Sequence, residues 1–443
     1  MKRENWKSRA GFILAALGSA VGLGSIWRFP YMVGENGGSA FIFLYLLFLF
    51  LIGLPVLLSE IILGRKAQKD PYGAIRQTAG KKWGPLGKLV IITGLLISSF
   101  YSVIAGWTLA YFLFSLTGKV IHLSSVDLAS SFFSEISSSF FLSLFFHFAF
   151  LILCGWILLS GVKKGIEAKS KILMPALFVV LLFLAIYALF LPGGGKSLSF
   201  LFSFSWDSFT PKIAIPALGQ AFFTLSLGQG TMITYGSYLS RKEEIVKSCV
   251  PVVFLNLFTS LLMGVAIYGI VFSSPVSIAS GPALIFETLP VVFSTLPGGY
   301  IWSSLFFFLV VIAALTSEIS ALEPAISYLI DEKKFSRKKA TLYATSFAFF
   351  LGIFTVFSFS PLNQALFGSF SFYEMLSFVS VNILVPLGGL GAVYLVGWKW
   401  PKREVFAELH PAKKGREPVS LLLFCLRYIT PVLILIILLD LFF

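Results

Sequence analysis

The chain is a succession of long apolar runs separated by short polar stretches. The runs fall near residues 10–29, 38–63, 88–116, 140–161, 170–192, 213–239, 249–274, 299–330, 339–359, 373–397 and 420–442. Each is long enough to cross the roughly 30 Å hydrocarbon core of a bilayer as a helix rising about 1.5 Å per residue. The pattern predicts an all-α polytopic membrane protein of eleven transmembrane helices, one domain over 1–443, with no linker or low-complexity segment. Two runs are interrupted. Leu17-Gly18-Ser19-Ala20-Val21-Gly22-Leu23-Gly24 in the first places three glycines within seven residues, and Thr224-Leu225-Ser226-Leu227-Gly228-Gln229-Gly230 breaks the sixth. A break facing lipid would leave backbone N–H and C=O groups unpaired, so it is tolerated only where it lines a site inside the protein. The bland alternative is close helix packing through small residues. Two breaks five spans apart mark an inverted repeat, because an odd number of spans per repeat forces opposite orientations. The repeats would cover approximately 8–195 and 210–397, with 420–442 as an extra helix and a solute site between the breaks.

Composition supports the membrane reading. The mean hydropathy of +0.90 is too high for a soluble chain of 443 residues, and 49 phenylalanines suit a lipid-facing surface. The net charge of +14 would admit a nucleic-acid partner, but its distribution argues against one. Lys and Arg fall on alternate loops: Lys2 to Arg9, Arg65 to Lys88, Lys163 to Lys171, Arg241 to Lys247, Lys333 to Lys339 and Lys399 to Arg416. The intervening loops hold only Lys119, Lys196 and Lys212. This bias predicts a multi-pass protein of the cell (plasma or inner) membrane, with a cytoplasmic N-terminus and an external C-terminus. Cys154, Cys249 and Cys425 all lie in apolar runs, so no disulfide framework is implied. The N-terminus has the basic start of a signal peptide, but Arg28, Pro30 and the lack of a cleavage site before a soluble domain argue against removal. His147 sits among phenylalanines, and His122 and His410 lie in loops. No metal spacing, nucleophile elbow or phosphate loop is present, and the glycines of the first run follow no strand, so an enzyme is not expected.

The stretches Trp6 to Pro30, Glu35 to Phe41, Gly53 to Arg65, Gln220 to Tyr238 and Ala313 to Asp331 resemble the neurotransmitter:sodium symporter family, which has the LeuT fold. The resemblance covers the first ten spans, and an eleven-span chain is similar to the shorter prokaryotic members. The rule linking paired broken helices to inverted repeats was drawn in part from this fold. The resemblance implies a sodium-coupled amino-acid symporter working by alternating access, with spans 1, 2, 6 and 7 rocking against the rest.

A half-helix beginning near Leu23 would aim free N–H groups and a positive dipole end into the site, which suits a carboxylate. By resemblance, the amides of Leu23 and Gly24 and the Tyr101 hydroxyl hold the carboxylate of an amino acid. The carbonyls of Ala20, Phe223 and Thr224 and the hydroxyl of Ser226 take its amine. Ser19, Ile97, Phe223, Gln229, Ser317 and Ala321 line the side-chain pocket. Tyr101 would otherwise be a packed aromatic, but Ser98, Ser99 and Ser102 make its stretch unusually polar. Gln229 stands where a leucine-selective member has an aromatic residue and Ala321 where it has a large aliphatic one. The pocket is therefore expected to be larger and more polar, suited to a hydrophobic, bulky or aromatic amino acid.

Sodium is a hard cation that wants several oxygens. The resemblance implies one site from the carbonyls of Gly18, Val21 and Ala313 with the hydroxyls of Thr316 and Ser317, the alternative for the two hydroxyls being ordinary helix back-bonding. A second would use Ala20, Thr224, Asn256 and position 25, where Ser25 replaces the family's Asn, so one or two ions are expected. Tyr45, Gln220, Thr224, Asn256 and Ser260 form a neutral donor set suited to chloride, since Ser260 stands where chloride-independent members carry an acid. Glu318 is an acid inside span 8 and functional by default. The roles open to it are structural, pairing with a basic substrate, or supplying the charge that Ser260 lacks. The resemblance implies an outer gate at Arg28, whose Asp partner is here Ser377, leaving Glu374 one turn earlier as substitute. An inner gate would pair Arg3 with Asp331 beside Trp6 and Tyr238. Competing readings are a proton-coupled or ion-independent carrier and a non-transporting amino-acid sensor. The sequence does not speak to an oligomer.

Overall fold

The computed structural model describes residues 3–203, 209–274, 283–361, 363, 368–409 and 420–442. Lys2, His410 and the basic stretch through Arg416 lie outside the described residues. Among those described there is no strand. Helix α1 is a bent pair, Arg9–Ala20 and Gly24–Glu35, turned by 60°. Helices α2 (Ser39–Ala67), α3 (Lys81–Leu116), α4 (Phe140–Leu159) and α5 (Val162–Phe190) follow. Helix α6 consists of two short pieces, Ala214–Phe223 and Thr231–Ser237. Then come α7 (Ile245–Val271), α8 (Gly299–Asp331), α9 (Arg337–Phe359), α10 (Phe372–Lys399) and α11 (Leu421–Leu439). Each of the eleven apolar runs thus has its helix, and the two interrupted runs are the two discontinuous ones. Helix α5 starts eight residues before the expected 170, because the basic segment from Val162 is already helical. The apolar pattern did not predict the short helices Pro71–Ala79, Val126–Ser138, Gly194–Phe202, Leu284–Thr295 and Lys402–Leu409.

Helices α3 and α8 pack extensively against each other, as do α2 and α6, and the bent α1 packs against α8, α7 and α5. Phe141, Phe145, Phe190 and Phe350 project outward and are exposed, as expected of rings against acyl chains. Glycine brings backbones together where it is needed. A Cβ on Gly64 of α2 would lie 1.8 Å from the Ile233 carbonyl oxygen, and one on Gly236 of α6 would lie 2.5 Å from that of Ile61. Helix α2 and the second half of α6 therefore touch backbone to backbone.

Candidate functional site

The hydrogen bonds around the first break show how it frees its carbonyls. The Val21 N–H still reaches Leu17 at 2.7 Å, but the Gly22 N–H turns to the Ala20 carbonyl (3.1 Å) and the Ser25 N–H to Gly22 (3.1 Å). The Leu23 N–H leaves the helix and donates to the Tyr101 hydroxyl at 3.2 Å. The oxygens of Gly18, Ser19, Ala20 and Val21 therefore lose their usual i+4 donors. In α6 the regular ladder ends at Thr224, and Ser226, Gly228 and Gly230 adopt positive φ before the helix restarts at Thr231. The Gly228 N–H is taken by the Glu60 Oε1 at 2.6 Å. Small residues also serve the packing alternative, since a Cβ on Gly24 would meet the Phe223 ring at 2.7 Å and one on Gly22 the Ser317 hydroxyl at 2.5 Å.

The breaks face each other across one cavity. It is lined by all twelve residues expected at the substrate site: Ser19, Ala20, Leu23, Gly24, Ile97, Tyr101, Phe223, Thr224, Ser226, Gln229, Ser317 and Ala321. Gly22, Leu227, Glu318 and Val385 complete the wall. The Ser19 carbonyl accepts from two hydroxyls, Ser226 at 2.7 Å and Ser317 at 2.8 Å.

Two oxygen clusters flank the cavity. The Ser25 hydroxyl lies 3.1 Å from the Ala20 carbonyl, 3.3 Å from the Thr224 hydroxyl and 3.3 Å from Asn256 Oδ1. Asn256 Nδ2 donates to the Thr224 hydroxyl at 3.1 Å. At the other cluster, a Cβ on Gly18 would lie 2.9 Å from that of Thr316. The Thr316 hydroxyl back-bonds to Ile312 (3.0 Å) and Ala313 (3.1 Å). A back-bonded hydroxyl has spent its proton and keeps lone pairs for a cation. Beside the first cluster, the hydroxyls of Tyr45 and Ser260 and Gln220 Oε1 are buried without a hydrogen bond, while Gln220 Nε2 reaches the Gly24 carbonyl at 3.3 Å. Tyr45 faces Thr224, Ser260 and Asn256.

On one side of the cavity a vestibule contains Trp27, Arg28, Phe100, Tyr373, Glu374 and Ser377, and shares Leu23, Gly24, Tyr101 and Phe223 with it. The expected contact between Arg28 and Glu374 is not an ion pair here. The Arg28 guanidinium lies over the Phe223 ring, 4.8 Å from its centroid, and Nη1 is buried without a hydrogen bond. Cation–π contact with the residue capping the cavity takes the place of the carboxylate. Glu374 instead lies exposed in the first turn of its helix, its N–H capped by Ser371 at 3.2 Å.

The opposite, N-terminal face is sealed. Arg3 is ion-paired with Asp331, donates to the Ser237 hydroxyl at 2.6 Å, and lies 4.6 Å above the Tyr238 ring. Trp6 Nε1 donates to the Tyr235 carbonyl at 3.0 Å and its N–H to Tyr238 at 3.0 Å. The Val162 N–H donates to Glu4 at 2.8 Å, and the Lys7 N–H to Glu167 at 2.6 Å. Asp70, at the start of the helix Pro71–Ala79, receives the Tyr72 N–H at 3.0 Å, and its own N–H donates to Asp331 at 2.9 Å. Its second oxygen is buried and unpaired. Burial first, and then the charge of Asp331, push the Asp70 carboxyl up to about 7.

Sequence reasoning passed over Glu60, Glu323 and Asp70. Glu60 had a signal, a single acid in a long apolar run. Glu323, which pairs with Arg337 through two 2.7 Å contacts and accepts from Tyr238 at 2.7 Å, had a similar signal, an acid in an apolar run that also holds Glu318. Asp70 had none, since an Asp before a proline in a polar loop reads as a simple helix cap.

A solute cavity walled by the unwound middles of two helices, sealed toward one face and reached by a vestibule from the other, defines a membrane carrier. The profile of the sodium:neurotransmitter symporter family matches residues 3–125 and 129–442, and the chain belongs to that family. An uncharacterized sodium-dependent transporter of Bacillus subtilis is 36% identical over 99% of this chain and 98% of its own length. One of Haemophilus influenzae is 32% identical over 98% and 97%. The solved structure of MhsT in complex with L-phenylalanine is 40% identical with a TM-score of 0.90, covering 99% of this chain and all of that one. The fold is thus the LeuT fold, and the protein is a sodium-dependent transporter rather than an enzyme.

Proposed function

We propose that the protein is a sodium-coupled symporter of hydrophobic amino acids, bulky or aromatic ones above all. The observation that carries the reading is the meeting of the Leu23 N–H and the Tyr101 hydroxyl, with the Gly24 backbone beside them, at the mouth of a mainly apolar cavity. Such a cluster of donors at a helix start recognises a carboxylate. Ile97, Phe223, Leu227, Ala321 and Val385 receive the side chain. The similar MhsT, solved with L-phenylalanine, supports an aromatic occupant.

One sodium ion is assigned to the released carbonyls of Gly18 and Val21 with Ala313, Thr316 and Ser317. A second is assigned to Ala20, Ser25, Thr224 and Asn256, which already cluster within hydrogen-bond distance of Ser25. Chloride is assigned to Tyr45, Gln220, Thr224, Asn256 and Ser260. Two of these hydroxyls are buried donors without an acceptor, and an anion would satisfy them. The sealed N-terminal face is read as cytoplasmic. Helices α1, α2, α6 and α7 rock against the rest so that Arg3–Asp331 parts as the vestibule over Phe223 closes.

The test is uptake of labelled amino acids into proteoliposomes under an inward sodium gradient, against potassium or choline, with and without chloride. Accumulation above equilibrium only with sodium is expected, with phenylalanine among the substrates. Equilibration without sodium would replace symport by a uniporter or proton-coupled carrier, and binding without uptake would make the protein a sensor. Loss of uptake on chloride removal is expected from the Tyr45–Ser260 pair.

A further inference from the structure

Resting on the reading of the central cavity as an amino-acid site, we infer that Glu318 selects substrates whose aromatic body carries a hydrogen-bond donor. Glu318 is fully buried, lines the cavity, and neither of its carboxyl oxygens makes a hydrogen bond. It takes part in none of the ion pairs of the described residues. The groups that face it are the Ser98 hydroxyl, itself buried without a partner, and the side chains of Tyr101 and Cys154. None of these is a fixed cation. The gates and the proposed ion ligands do not use the side chain, and the facing Ser98 hydroxyl can serve only one of its oxygens, so the other is left for whatever enters the cavity.

Its position fits that role. Glu318 follows Ser317 and precedes Ala321 by three residues, so it shares a stretch of α8 with two cavity-lining neighbours. The carboxylate-binding donors Leu23 and Tyr101 hold one end of the ligand, and Ile97, Phe223, Leu227 and Val385 supply apolar walls for its body. Gln229 is another polar side chain in the cavity wall, and it too is nine-tenths buried. Buried acceptors gain most when the ligand pairs them and lose most when it enters without a donor. That asymmetry is the way a site rejects an isostere lacking one polar group. L-tyrosine and L-tryptophan carry an O–H or N–H on the aromatic ring system, and L-phenylalanine does not.

The experiment is sodium-dependent equilibrium binding of radiolabelled L-phenylalanine, L-tyrosine, L-tryptophan and L-lysine to the purified full-length protein, to Glu318→Leu and to Glu318→Gln. The native protein is expected to bind tyrosine or tryptophan at least tenfold more tightly than phenylalanine. Glu318→Leu should bring the three aromatic ligands within threefold of one another by weakening the donor-bearing ones. Glu318→Gln, which keeps an acceptor, should retain part of the preference. Phenylalanine binding that survives in Glu318→Leu shows that the variant is folded. Equal aromatic affinities in the native protein, or an unchanged ratio in Glu318→Leu, would overturn the inference and leave the amino-acid site standing. Lysine binding tighter than every aromatic would overturn it by making Glu318 a counter-ion. Absence of sodium-dependent binding of any of the four would bring down the amino-acid reading as well.

Discussion

Ser25 shows how much one shortened side chain can alter a cage. Its hydroxyl sits among the Ala20 carbonyl, Thr224 and Asn256 at 3.1–3.3 Å, drawing together groups that a longer amide would have to reach. Ser25→Ala should remove one oxygen from the proposed ion shell. A hydrogen bond or ligand to a charged group is worth about 1.5–3 kcal/mol, so the sodium concentration for half-maximal substrate binding should rise at least about tenfold. An unchanged sodium dependence would exclude Ser25 from the shell. Glu60 offers a second check. Glu60→Gln keeps an oxygen for the Gly228 N–H, whereas Glu60→Ala strands that N–H in a buried break. The alanine variant alone should lose about 1–3 kcal/mol of stability, read as a lower melting temperature in detergent.

At the scale of helices, the sequence was legible wherever one local rule sufficed. Apolar length located the spans, and clustered glycines located both breaks. The helix Val126–Ser138 escaped because an amphipathic surface helix lacks the continuous apolarity that marks a span. Glu374 was misjudged for a different reason. Spacing placed it one turn from Ser377, but which of its neighbours Arg28 prefers depends on where the Phe223 ring comes to rest, and no local pattern fixes that. The reach of Glu60 from α2 to the α6 break is likewise long-range. The close passage of α2 and α6 yields another test. Gly64→Ala puts a methyl where only 1.8 Å separates it from a carbonyl oxygen. The helices must shift apart, at a cost of about 1–3 kcal/mol. A melting temperature equal to that of the native protein would show that the contact yields freely.

Across the whole molecule, the sealed face gathers Asp70, Asp331 and Glu332 around Arg3. Opening that face would return Asp70 to water and to the ordinary carboxylate range, whereas closure raises it to about 7. The closed arrangement is therefore favoured most below the ordinary Asp value of about 4. That advantage declines as pH rises through about 7 and is gone above it. Labelling of a cysteine placed beneath Trp6 should accordingly increase between about pH 5 and pH 7.5 and level off above. Asp70→Asn should flatten the profile toward the closed state. A profile with the same slope in Asp70→Asn would assign the effect to another group.

The Ser19 carbonyl holds one hydroxyl from α6 and one from α8. In the proposed cycle α1 and α6 travel together while α8 stays with the frame. The Ser226 bond then rides along as a passenger, and the Ser317 bond is broken and remade on every turnover. One backbone oxygen would thus act as a clutch plate between the moving and the stationary halves of the carrier, and the grip of Ser317 upon it would help set the pace of the stroke.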